Sequence, residues 1–152
     1  MMNFFIGFSG DEFQSEGDLV ASGVLKIGDF TESLQISLSY WNREQYLDQW
    51  REALERLLKG GSSSAIVTTM YDSNTANFIF WWVMYLIGDS VHIQNHVLFL
   101  DELEQPFDEF NLYRFIPKRE THTEEGEPIS EWVIKVTDLQ ACFDSLPIRP
   151  NS

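Results

Sequence analysis

His92 and His96 stand four residues apart, the spacing that lets two imidazoles on one helix face bind a single metal ion. The surrounding residues alternate as a strand does, however. At about 3.3 Å per residue the two rings would share a face but lie about 13 Å apart. Shared ligation at about 2 Å from each nitrogen is then out of reach. A small metal-dependent enzyme using His92, His96 and nearby carboxylates therefore requires this stretch to be helical, and the other reading is a pair of ordinary strand histidines. His122 falls in an acidic stretch and reads as solvated. Nucleophilic chemistry has little support. There is no Gly-x-Ser-x-Gly elbow, no Lys follows Ser62-Ser63-Ser64 to make a phosphate cradle, and Cys142 lies between Ala141 and Phe143 as a buried, inert thiol would. No catalytic residue, metal site or cofactor is expected.

Carboxylates are the abundant chemical group. Asp101, Glu102 and Glu104, then Asp108 and Glu109, then Glu120, Glu124, Glu125 and Glu127 crowd a turn-rich stretch. A glycosidase needs two carboxylates at a set separation, and no pair here is singled out by its neighbours. The alternation of an EF-hand loop is absent as well. What remains is collective: a surface of lasting negative potential, serving either solubility or a basic partner. Tyr40-Trp41, and Trp132 beside Glu131, could supply aromatic anchors to such a partner, since interfaces concentrate their energy in Trp, Tyr and Arg. Trp50, Trp81 and Trp82 lie in apolar patterns and read as core.

The whole chain supports this emphasis. Its 152 residues carry 24 acids and 10 bases, a formal charge of −14, with 43% hydrophobic and 14% aromatic residues. So many aromatics argue against disorder, and the length suits one domain over residues 1–152. The acidity argues against nucleic acid and anionic membrane surfaces, both of which call for clustered Lys and Arg. Residues 61–100 contain no Lys or Arg and only Asp72 and Asp89, whereas residues 101–152 hold twelve acids and five bases. The middle therefore reads as buried centre and the flanks as solvated shell. The longest apolar run, Phe78 to Ile87, is half of what a membrane helix needs. Met1 to Phe8 lacks the basic region of a signal peptide, so a cytoplasmic protein is expected.

The elements that must position these groups follow from periodicity. The first forty residues read as strands broken by Gly turns, with Leu34, Ile36 and Leu38 alternating against Gln35, Ser37 and Ser39. Asn42 is a good N-cap with Gln45 in capping-box position. Tyr46, Leu47, Trp50, Ala53, Leu54, Leu57 and Leu58 then fall on one helical face, while Glu52/Arg56 and Glu55/Lys59 are spaced as i,i+4 pairs. Gly60-Gly61 stops that helix, which spans about 42–59. Strands follow at Ala65–Met70, Asn77–Ile87 and Val91–Leu100, the last two joined through Gly88-Asp89-Ser90. Phe78–Ile87 is apolar on both faces and should lie centrally, with the helix over it. A strand from Trp132 to Val136 leads to a short helix near Asp138–Ser145, ended by Pro147. The expected fold class is α+β: a mostly antiparallel β-sheet with one main amphipathic helix packed on it and a short C-terminal helix.

Several stretches together resemble a known bacterial family. They are Tyr40-Trp41 leading into Tyr46, Gln49-Trp50 and Ala53-Leu54, then Ser64 to Met70, Trp81-Trp82, Ile93-Gln94-Asn95 and Tyr113 to Arg119. Gly126 with Ile129-Ser130-Glu131-Trp132 completes the set, and those last four residues are its most specific piece. The pattern, over roughly residues 20–140, is similar to the immunity proteins of contact-dependent growth inhibition systems, which neutralise the C-terminal toxin domain of a large secreted protein. The resemblance implies a cytoplasmic, non-enzymatic inhibitor that binds its cognate toxin domain one to one, and it supplies no catalytic residues. Toxins of this class are commonly nucleases with basic surfaces. Under that reading Asp101, Glu102, Glu104, Asp108, Glu109, Glu120, Glu124, Glu125, Glu127, Tyr40 and Trp41 are the candidate partner-binding residues. An acidic adaptor that meets no toxin remains the other non-enzymatic reading.

Overall fold

The computed structural model describes residues 2–147, so Met1 and residues 148–152 of the expected domain lie outside the described residues. Seven strands form two antiparallel sheets. The first is the meander β1 (Phe4–Ser15), β2 (Asp18–Ile27) and β3 (Phe30–Ser37). The second has the order β4 (Ser63–Thr69), β5 (Phe78–Ile87), β6 (Ser90–Phe99) and β7 (Trp132–Lys135). Helix α1 (Arg43–Leu58) joins the two sheets, and α2 (Val136–Ser145) follows β7. The α+β expectation holds, with the strands divided between two sheets.

Local rules account for the hairpins and for α1. Gly28-Asp29 and Gly88-Asp89 each connect strands through a two-residue turn, with the Gly at φ +61° and +64°, where an L side chain would be strained. At the start of α1 the Asn42 side chain accepts from the Gln45 N–H at 2.9 Å, and the Gln45 side chain accepts from the Asn42 N–H at 2.9 Å. Both halves of the capping box are thus made. Lys59 pairs with Glu55 at 3.0 Å as its spacing suggests. Arg56 behaves differently: its guanidinium lies over the Tyr113 ring at 4.1 Å, while the Tyr113 hydroxyl accepts from Gln49 Nε2 at 3.2 Å. A tertiary aromatic has displaced the local ion pair, which in isolation would contribute only about 0.3–0.5 kcal/mol.

The place of α1 differs from expectation in an informative way. β5 is interior, as its two apolar faces require, but α1 packs along the free edge of β4 rather than over β5. An unpaired strand edge must be covered or blunted, and here polar side chains of the helix do it. Gln49 acts as a short substitute strand: its Oε1 accepts from the Val67 N–H at 2.8 Å and its Nε2 donates to the Ala65 carbonyl at 2.7 Å. The Trp50 indole N–H donates to the Val67 carbonyl at 2.7 Å, and the Ser64 hydroxyl returns a bond to the Ala53 carbonyl at 2.8 Å. Tyr46 ties the two sheets together, donating to the Ser37 carbonyl at 2.6 Å and accepting from the Met70 N–H at 3.0 Å.

The two faces of β5 meet different covers. Trp82 faces the first sheet, with its ring 6.1 Å from Phe30 and 5.5 Å from Trp132, and Phe30 and Trp132 approach to 4.5 Å. On the opposite face the Tyr85 hydroxyl donates to the Pro117 carbonyl at 2.9 Å. Trp81 shares a recess on that side with Phe115 and Pro117. The acid-rich stretch after β6 is therefore the outer cover of the second sheet rather than a detached loop. One continuous apolar cluster runs through both sheets and both helices. Burying each large aliphatic side chain within it contributes about 1.5–3 kcal/mol.

Candidate functional site

The histidines are strand residues. His92, Gln94 and His96 occupy one face of β6, with Gln94 between the two imidazoles. Gln94 Nε2 donates to the Glu120 carbonyl at 2.9 Å and to Glu131 Oε2 at 2.8 Å. With its amide hydrogens so committed, its Oε1 accepts from His96 at 2.8 Å, which places the proton of His96 on Nε2. Burial pushes His96 below its ordinary pKa, favouring the neutral ring. His92 Nδ1 turns to Glu131 Oε1 at 3.0 Å. Among the described residues no three His, Cys, Asp or Glu side chains are grouped as metal ligands, and the exposed His122 ring meets the Thr121 hydroxyl at 3.0 Å.

Glu131 is the hub of this cluster. Arg119 meets it as a fork, Nε to Oε2 at 2.9 Å and Nη2 to Oε1 at 2.6 Å. That is the bidentate geometry of a strong, charge-assisted pair. The Arg119 guanidinium and the further bonds from His92 and Gln94 hold the Glu131 carboxyl down at about 2. Burial, with the nearby Glu131 charge second, pushes Tyr85 up to about 12. Every group in the cluster has a partner, and no buried side-chain N or O among the described residues lacks one. This arrangement ties Arg119, Glu120 and Glu131 to β6. Trp132, partly buried, packs against Phe30 and Trp82 at the margin of the core.

The acids split into four places. Asp101, Glu102 and Glu104 follow β6 around a short 3₁₀ turn, Leu100–Glu102, and Glu102 and Glu104 share a shallow groove with Arg114 and Lys118. Glu124, Glu125 and Glu127 sit on a fully exposed loop closed by the Thr123 N–H to Glu127 carbonyl bond at 2.8 Å. Glu120 is exposed, and its carbonyl is the acceptor used by Gln94. Asp108 and Glu109 begin a second 3₁₀ segment, Glu109–Phe115. There Asp108 accepts from the Phe110 N–H at 2.9 Å and from Asn111 Nδ2 at 2.7 Å, bonds that hold its carboxyl below the usual range.

Glu109 is the one candidate acid that meets the candidate aromatics. The Tyr40 hydroxyl donates to Glu109 Oε1, and the Trp41 indole N–H donates to Oε2 at 3.1 Å. The hydrogen bond to that carboxylate is the main reason the Tyr40 hydroxyl is pushed up to about 12. Trp41 is buried, whereas Tyr40 is 40% exposed. Together they fasten the 3₁₀ segment to the start of α1. Between these elements lies an open cleft of about 260 Å³, walled by Trp41 and Tyr113 and carrying the carboxylates Asp48, Glu52 and Glu109, with no Lys or Arg among the described residues that line it. Phe110 stands at its rim, 90% exposed, the most exposed large apolar side chain among the described residues.

Asp48, Glu52, Phe110 and Tyr113 were not among the sequence-derived candidates. Asp48 and Glu52 look like ordinary solvent-face residues of an amphipathic helix, and only the fold shows what they face. An odd Phe flanked by Glu109 and Asn111 was the one available signal.

Comparison with known proteins agrees with the resemblance noted in the sequence. The family described as the CdiI N-terminal domain matches residues 36–142. The Immunity protein CdiI of Enterobacter cloacae subsp. cloacae is 38% identical over 141 residues, covering 93% of this chain and 94% of that protein. In structure, the chain superposes on a chain of the CdiA-CT/CdiI toxin and immunity complex from Enterobacter cloacae with a TM-score of 0.86 and 36% identity. The superposition covers 94% of this chain and 97% of that one. Sequence and architecture agree over nearly the whole length, and the chain belongs to the CdiI immunity protein family.

Proposed function

We propose that this protein acts as one domain in the cytoplasm, binding its cognate CdiA-CT-type toxin domain one to one and neutralising it without chemistry of its own. The observation that carries this reading is the near full-length likeness to CdiI, including a chain of a solved toxin and immunity complex. The charge supports it further. At −14 the protein would be steered toward a basic toxin surface, such as the nucleic-acid cleft of a nuclease. Steering of this kind can raise association rates from about 10⁵–10⁶ to 10⁸–10⁹ M⁻¹s⁻¹. Asp101, Glu102, Glu104, Asp108, Glu109, Glu120, Glu124, Glu125 and Glu127 supply the field, and Tyr40 and Trp41 organise part of the face by holding Glu109.

The direct test is co-expression. Cells producing the toxin domain encoded beside this gene should grow only when this protein is also present, and continued killing would refute the reading. Lys substitutions at several of the exposed acids should slow association of the purified partners, as should added salt. An on-rate indifferent to both would refute electrostatic steering while leaving neutralisation intact.

A further inference from the structure

Phe110 is held in place to be exposed. The segment around it is fixed on both sides: Asp108 accepts its backbone N–H at 2.9 Å, Glu109 is gripped by Tyr40 and Trp41, and Leu112 is buried. An apolar ring 90% in water on an anchored turn is the geometry of an interface anchor. Beside it the cleft of about 260 Å³ is smaller than the ~300–1,000 Å³ typical of small-molecule sites and matches the scale of a side chain. Its chemistry is specific. Aromatic walls accept a planar cation by stacking, and carboxylates accept its N–H groups in pairs. Glu109 already receives one hydrogen bond on each oxygen from Tyr40 and Trp41, and a carboxylate has about four acceptor sites, so its orientation is set while capacity remains. Arg56 stacks on Tyr113 at 4.1 Å but is not among the residues that line the cleft.

From this geometry, and resting on the toxin-binding function proposed above, we infer that the cleft between α1 and the 3₁₀ segment receives an arginine of the toxin domain while Phe110 seats in an apolar recess beside it. Arginine fits better than lysine because a flat guanidinium can stack on an aromatic ring and fork onto carboxylates at once. The exposed acids elsewhere set the encounter rate, and this cleft sets the lifetime of the complex.

The experiment uses the purified full-length chain and the toxin domain encoded beside it, with association and dissociation rates measured for wild type, Phe110→Ala, Glu52→Lys and, as a control, Phe99→Ala. Phe99 is 48% exposed on β6 and does not line the cleft. Phe110→Ala and Glu52→Lys should each bind about 30-fold or more weakly, chiefly through faster dissociation for Phe110→Ala, with unfolding midpoints unchanged. Phe99→Ala should bind as wild type does. Tight binding by wild type with both cleft variants unaffected, or with Phe99→Ala as the weakened one, overturns this inference and leaves the toxin-binding reading standing. No binding by wild type overturns both.

Discussion

The Glu131 cluster and the Glu109 cleft are built from the same materials, carboxylates set beside aromatic rings, and they differ in what is left over. Around Glu131 the arginine, the glutamine and the histidines are all supplied from within the chain, and the carboxylate side chain is only 16% exposed. Around Glu109 the described residues supply a tyrosine and a tryptophan, with no Lys or Arg among those that line the cleft, and the neighbouring phenylalanine faces water. Electrostatics explains why the two serve different ends. A carboxylate already met by an arginine of its own chain has little left for a partner, whereas carboxylates lining an open cleft can still meet a basic one.

The largest way to break this contrast is at the core side of the first region. Trp132→Ala removes the ring packed on Phe30 and Trp82 and should cost about 3 kcal/mol in denaturant unfolding, while the folded fraction still binds toxin normally. Arg119→Met should cost about 2 kcal/mol at neutral pH, because it leaves Glu131 without its main partner. That loss has a pH signature. Glu131 titrates at about 2, below an ordinary carboxylate, so its contribution is full above the ordinary range and disappears as pH falls from about 5 toward 2. Arg119→Met should flatten the stability profile across that acidic window, as unfolding curves at several pH values would show. The smallest expected effect is on the exposed loop. Changing Glu124, Glu125 and Glu127 together to Gln should alter stability by less than about 0.5 kcal/mol, yet measurably slow association with toxin. A stability loss as large as that of Arg119→Met would merge the two kinds of region.

Much of the fold could be read from residue order because the decisive signals were local. Asn42 and Gln45 announced the start of α1, Gly88-Asp89-Ser90 announced a hairpin, and the two-sided apolar run of Phe78–Ile87 announced an interior strand. The division into two sheets was not legible, since it depends on which distant strands pair. Nor was the docking of α1 on the β4 edge, because Gln49 and Trp50 look like any helix residues until Ala65 and Val67 present their backbone to them. The site followed the same rule. Tyr40, Trp41 and Glu109 were visible as residue types but not as a contact spanning 68 residues of sequence. Of the residues that carry the resemblance, Glu131 and Trp132 prove to hold the fold together.

Amide hydrogen exchange of the full chain, alone and saturated with the toxin domain, tests the division between the two regions most directly. Binding at the cleft should slow exchange across residues 109–113 and the first half of α1, while amides at Gln94 and Glu131 keep the rates they have in the free protein. Unchanged exchange at Phe110 to Tyr113, with protection appearing instead around Glu131, would contradict the assignment of binding to the cleft.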